Sequence, residues 1–144
     1  MEKITYLITV LMLLFVSCAG NDFSFDEEKQ TFKAHSTYFG KIEINGIDND
    51  DCFIIKRKNN GKKLYSINLN KIPESYYVQK DYDGDTIKDF KLKRNNNYEI
   101  INRGVYDAAS LKIVVYIDEN GLIKKVKDSV SGEVDFRIKS IRGF

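Results

Sequence analysis

Apolar and β-branched residues recur at every second position through most of the chain after Lys41, and that period constrains the fold most. Val134, Phe136 and Ile138 alternate with Glu133, Asp135, Arg137 and Lys139, so an extended segment there has one apolar and one charged face. Tyr65, Ile67 and Leu69 alternate with Ser66 and Asn68 in the same way. This is the pattern of a half-buried antiparallel strand. Leu111–Ile117 is apolar almost throughout, which predicts a central strand covered on both faces.

The punctuation agrees with strands. Asn120-Gly121 predicts a type I′ turn closing a hairpin between 111–117 and 122–127, because both residue types accept positive φ. Asn59-Asn60-Gly61 is expected to join 52–58 to 62–69 in a similar way. Further strands are expected at 41–45, 76–80, 88–94 and 97–101. No gap supplies the helical crossovers of about a dozen residues that parallel pairing needs. The fold class expected is all-β, mainly an antiparallel meander, small barrel or sandwich, in a single domain over 41–144.

The N-terminus has another character. Lys3 is followed by an apolar run from Ile4 to Val16 that ends in Ser17-Cys18. A basic start, an apolar stretch short for a membrane span and a small residue before the cut describe an export signal. A cysteine directly after Leu14-Phe15-Val16-Ser17 resembles the lipobox of bacterial lipoprotein signal peptides, with Phe15 where the usual residue is Leu. That resemblance implies a signal peptide over 1–17 and a diacylglycerol on Cys18, which anchors the chain to the envelope, most simply the outer membrane. Ser24 to Glu28 is similar to the surface-export signal of Bacteroidota lipoproteins. Residues 18–40 are then the lipidated cysteine and a tether. Ser24 and Glu27 have capping-box spacing, and Phe25 and Phe32 would share a face, so one short helix near 25–34 is expected as an alternative to irregular chain.

With Cys18 acylated, Cys52 has no partner in the chain, which removes a disulfide framework. Beside Phe53-Ile54-Ile55 it reads as a small apolar strand residue. Lys and Arg total 23 against 21 Asp and Glu, a formal charge of +2, so no strong field points to nucleic acid.

One compact constellation remains. Asp81, Asp83, Asp85 and Asp89 surround Gly84 between two apolar flanks, Tyr76-Tyr77-Val78 and Phe90-Lys91-Leu92. Crowded carboxylates disfavour one another's ionisation unless a cation joins them. Calcium accepts about 6–8 oxygen ligands, so a site is expected from the four Asp side chains and the Ile87 carbonyl. The run resembles the Asp-x-Asp-Gly-Asp-x-x-x-Asp loops of FG-GAP and integrin-type β-propeller repeats, with Thr86 where those have Gly. It does not fit an EF-hand, because Thr86 and Leu92 stand where that loop needs Gly and Glu.

Catalytic patterns are thin. His35 is the sole histidine, which leaves no His-based zinc site, and no P-loop, dinucleotide fingerprint or nucleophile motif occurs. The expectation is a binding module rather than an enzyme, held to the membrane through Cys18 and meeting an envelope or secreted protein. The alternative is an inhibitor or immunity-type lipoprotein that neutralises an exported toxin or cell-wall hydrolase. A structural subunit of an envelope assembly would instead show a large flat apolar patch.

Overall fold

The computed structural model describes residues 20–104 and 111–130. The signal peptide, Cys18 and the alternating segment at Val134, Phe136 and Ile138 lie outside the described residues. The described chain forms ten strands: β1 (Phe23–Asp26), β2 (Thr31–Ala34), β3 (Lys41–Gly46), β4 (Cys52–Arg57), β5 (Ser66–Ile67), β6 (Tyr76–Lys80), β7 (Thr86–Ile87), β8 (Asn96–Asn102), β9 (Leu111–Ile117) and β10 (Ile123–Val130). They make two antiparallel sheets and no closed barrel: a small one ordered β1-β2-β5, and a large one ordered β10-β9-β8-β3-β4-β6-β7.

Alternation decides which residues meet. Ile42 and Ile44 on β3, Ile55 on β4, Tyr76 and Val78 on β6, Ile100 on β8 and Ile113 and Val115 on β9 point into one core. Phe23, Phe32 and Ile67 enter the same core from the small sheet. Gln30 ties the sheets at one edge. Its Nε2 donates to the Ile123 carbonyl at 3.0 Å, and its Oε1 accepts from the Ile123 N–H at 2.7 Å, as a neighbouring strand would.

Four expectations change. The segment read as tether and short helix is a β-hairpin, with Phe23 paired to Ala34 and Phe25 to Phe32, and its Phe23 and Phe32 side chains are buried. An isolated helix of that length gains little in water, whereas burying two phenylalanines gains a great deal. Residues 52–58 and 62–69 do not form a hairpin. β4 pairs with β3 and β6, and β5 crosses to pair with β2 in the other sheet. Residues 88–94 form no strand; only Thr86 and Ile87 pair with β6, and Phe90 then turns inward to Phe53, ring centres 5.1 Å apart.

The fourth change is at Asn120-Gly121. Gly121 has φ +82° and Asn120 has no positive φ, so this is not a type I′ turn. The Gly121 N–H donates to the Asp118 carbonyl at 3.0 Å, and the Asp118 N–H donates to the Leu122 carbonyl at 2.9 Å. That is a type I turn followed by a left-handed glycine, the usual three-residue hairpin solution. The hairpin itself forms, with Ile123 opposite Ile117.

The topology also sorts charge. The loops after β3 and β6 carry Asp48, Asp50 and Asp51, and Asp81, Asp83 and Asp85, at one end of the large sheet. At the other end lie Lys41, Lys56 and Arg57, beside the loop holding Lys58, Lys62 and Lys63.

Candidate functional site

The acidic loop is a tight hairpin connection. The Lys80 N–H donates to the Asp85 carbonyl at 3.1 Å, and the Asp81 N–H donates to the Cys52 carbonyl at 3.0 Å, with Asp81 at φ +56°. A Cβ on Gly84 would stand 1.4 Å from the Lys80 carbonyl oxygen, so only glycine lets the chain close there. Asp81, Asp83, Asp85 and Asp89 are exposed, and Ile87 sits in β7 opposite Val78. Among the described residues, no three His, Cys, Asp or Glu side chains converge as a metal-holding group.

Behind this loop lies a buried polar cluster that the sequence did not announce. Glu43, Ile54 and Gln79 are cross-strand neighbours on the face of the large sheet opposite the core. Gln79 Nε2 donates to the Tyr82 carbonyl at 2.9 Å, and the Tyr82 hydroxyl donates to Glu43, so Tyr82 reaches from the β6 side across to β3. Ile54, between the two anchor points, is fully buried. Glu43 also accepts from Arg103 Nε at 2.8 Å and from Asn45 Nδ2 at 2.8 Å.

Burial alone would raise the Glu43 pKa. The hydrogen bonds from Arg103, Asn45 and Tyr82 outweigh it and hold the carboxyl below its ordinary value. A depressed folded-state pKa contributes stability above the unfolded value and loses it as pH falls through the folded one. Glu43→Gln should therefore destabilise the fold most at neutral pH, and the difference from the parent should shrink as acid is added. Urea melts at several pH values check this, and a pH-independent difference would refute it. Cys52 accompanies the cluster. Burial first, then the negative charges of Asp81 and Glu43, push its thiol pKa up, so it stays protonated and a weak nucleophile.

A concave feature lies at the opposite, basic end. A groove of about 400 Å³ opens where β3 and β6 begin and β4 ends. Its floor is one cross-strand row, Lys41 opposite Lys56 and Lys56 opposite Tyr77. Tyr38 and Arg57 form a wall, the guanidinium 5.3 Å from the ring centre, and Lys63 stacks on the same ring at 4.9 Å. Arg57 Nη1 donates to the Gly61 carbonyl at 2.6 Å, which fixes the head group. Lys41 Nζ lies 5.7 Å from the Tyr82 ring centre. Among the described residues that line it, none is acidic. Such a set attracts anions and planar groups.

His35, the sole histidine, is exposed, with Nε2 3.0 Å from Ser24 Oγ on the neighbouring hairpin strand. No protein-family model, curated protein or solved structure matches the chain.

Proposed function

We propose that this chain is a lipid-anchored protein of a bacterial cell envelope, held in the outer membrane through Cys18, whose β domain is a binding module and not an enzyme. The observation that carries the binding reading is the groove, whose lysines, arginine and tyrosines offer charge and stacking. Its partner is an envelope or secreted component. The inhibitor reading asks for a protruding aromatic loop. Tyr82 is 48% exposed, but its hydroxyl is committed to Glu43, so that loop is tied to the sheet.

Cys18→Ser in the full chain should stall processing or release the protein from membranes, because stable anchoring requires acyl chains that serine cannot carry through a thioether. Fractionation with mass analysis of the N-terminus reads this. In the same cells, a photo-crosslinking phenylalanine analogue at position 77 should yield an adduct that the same analogue at position 116 does not. A processed Cys18→Ser protein that stays on membranes refutes the anchor, and equal adducts from both positions refute the groove as the binding surface.

Calcium at Asp81, Asp83, Asp85, Ile87 and Asp89 belongs to the same proposal. The exposed carboxylates would have to gather round the ion, which suits weak affinity of about 10⁻³–10⁻⁴ M. Calcium at about 10⁻³ M should raise the melting temperature of the parent over its value in chelator and leave Asp83→Asn unmoved. Equal shifts, or none, would reduce the loop to a turn.

A further inference from the structure

We propose that the face formed by Tyr38, Arg57 and Tyr65 docks a protruding acidic loop of a partner protein. This rests on the groove as the binding surface, proposed above, and names the chemistry of what its wall receives.

The chemistry comes from an aromatic and cationic centre. Tyrosine and arginine are among the residues that most often carry binding energy at protein interfaces. The Tyr38 and Tyr65 rings meet edge to face with centres 6.5 Å apart, and the Arg57 guanidinium lies 5.3 Å from the Tyr38 ring centre. Tyr65 is 55% exposed. Arg57 gives one N–H to the Gly61 carbonyl and keeps others, enough to fork onto a carboxylate. Lys58, Lys62 and Lys63 stand exposed around this centre. Among the described residues, neither Arg57 nor these three lysines form an ion pair with a carboxylate. Cations ringing an aromatic centre steer an acidic partner onto it.

The face is also held ready. The Lys58 N–H donates to the Ser75 carbonyl at 2.9 Å, and the Gly61 N–H donates to the Lys58 carbonyl at 2.9 Å. At the other end of the segment, the Leu64 carbonyl accepts from the Phe39 N–H and the Tyr65 carbonyl from the Ala34 N–H, both at 2.9 Å. A loop tied down at both ends gives up little freedom when it binds, so more of the contact energy remains as affinity. Shape then selects the partner. Tyr38 and Arg57 wall the groove of about 400 Å³. A loop tip carrying Asp or Glu fills such a concavity, which a flat bilayer surface leaves empty.

The test uses the full chain in neutral detergent, with poly-L-glutamate as the probe. Affinity is measured by titration, and contact by the rate at which an amine reagent labels each lysine. At ten times its dissociation constant the probe should slow labelling of Lys62 and Lys63 by about tenfold. Lys88 and Lys91 are the reference, because both are exposed and no ring lies under either among the described residues. Two variants leave the net charge unchanged. Arg57→Lys loses the fork and should weaken binding about tenfold, and Tyr65→Ala about fivefold. Tyr65 is too exposed for its loss to unfold the chain, so that second variant separates binding from stability. Equal protection of Lys88 and Lys91, or both variants binding like the parent, would overturn the proposal and leave only a diffuse attraction of charge. Labelling slowed by phosphatidylglycerol vesicles but not by poly-L-glutamate would overturn it too, and assign the face to a lipid surface. A specific crosslink at position 77 with no effect of either variant would keep the groove as the binding surface and remove the acidic partner.

Discussion

Phe32→Ala is expected to lower the unfolding free energy by about 3–5 kcal/mol, the usual cost of emptying a fully buried aromatic site. The ring is 0% exposed, 4.5 Å from the Phe25 ring centre and 6.1 Å from that of Phe23. It stands on β2, between β1 and β5, so the cavity would open in the middle of the small sheet where it joins the common core. Tyr65→Ala is the control, because that ring is 55% exposed, and a change within about 0.5 kcal/mol is expected there. Urea unfolding of both variants settles the matter. A loss under about 1 kcal/mol at Phe32 would mean that the hairpin β1–β2 unfolds apart from the large sheet.

Asn102→Leu should cost about 2–4 kcal/mol, through polar groups left without partners and not through lost volume. The side chain is 0% exposed, donates to the Asn21 carbonyl and accepts the Gly104 N–H. Leucine fills similar space and can do neither, which strands a donor and an acceptor away from water. Exposed Asn120, replaced by Ala, should change stability by no more than about 0.5 kcal/mol. Similar small losses at both sites would show that water satisfies the stranded groups, and that the N-terminal segment is held by something else.

Much of the large sheet was legible because its strands obey a local rule. Tyr76–Lys80 and Leu111–Ile117 end where the apolar period ends, and both are observed with those bounds. The N-terminal hairpin was not legible. Ser24 and Glu27 offer a helix cap, and the balance was tipped by the burial of Phe23 and Phe32 against residues far along the chain. The segment 88–94 has strand-like composition, but β6 offers it pairing only at Val78 and Gln79. The groove was hidden for a related reason. Lys41, Lys56 and Tyr77 lie on three different strands, and only register makes them neighbours. A lysine just inside each end of two successive apolar strands was the one available hint. The Glu43 cluster had even less, because a carboxylate on an alternating strand looks solvated until Tyr82 and Arg103 are seen to cover it.

The side-chain bridge from Gln30 also says when this protein can fold. Its partner Ile123 comes 93 positions later in the chain. β3 likewise meets β8 only after the chain has passed through β4, β5, β6 and β7. Long loops must close before such contacts return any free energy, which places antiparallel domains of this kind among the slower folders, at about milliseconds to seconds. The β1–β2 hairpin is made first, yet a lone hairpin is marginal in water, and the core its phenylalanines enter needs β9 and β10. A chain growing from its N-terminus therefore stays open until Ile123 has been made, then closes in a single late step that joins its first strands to its last.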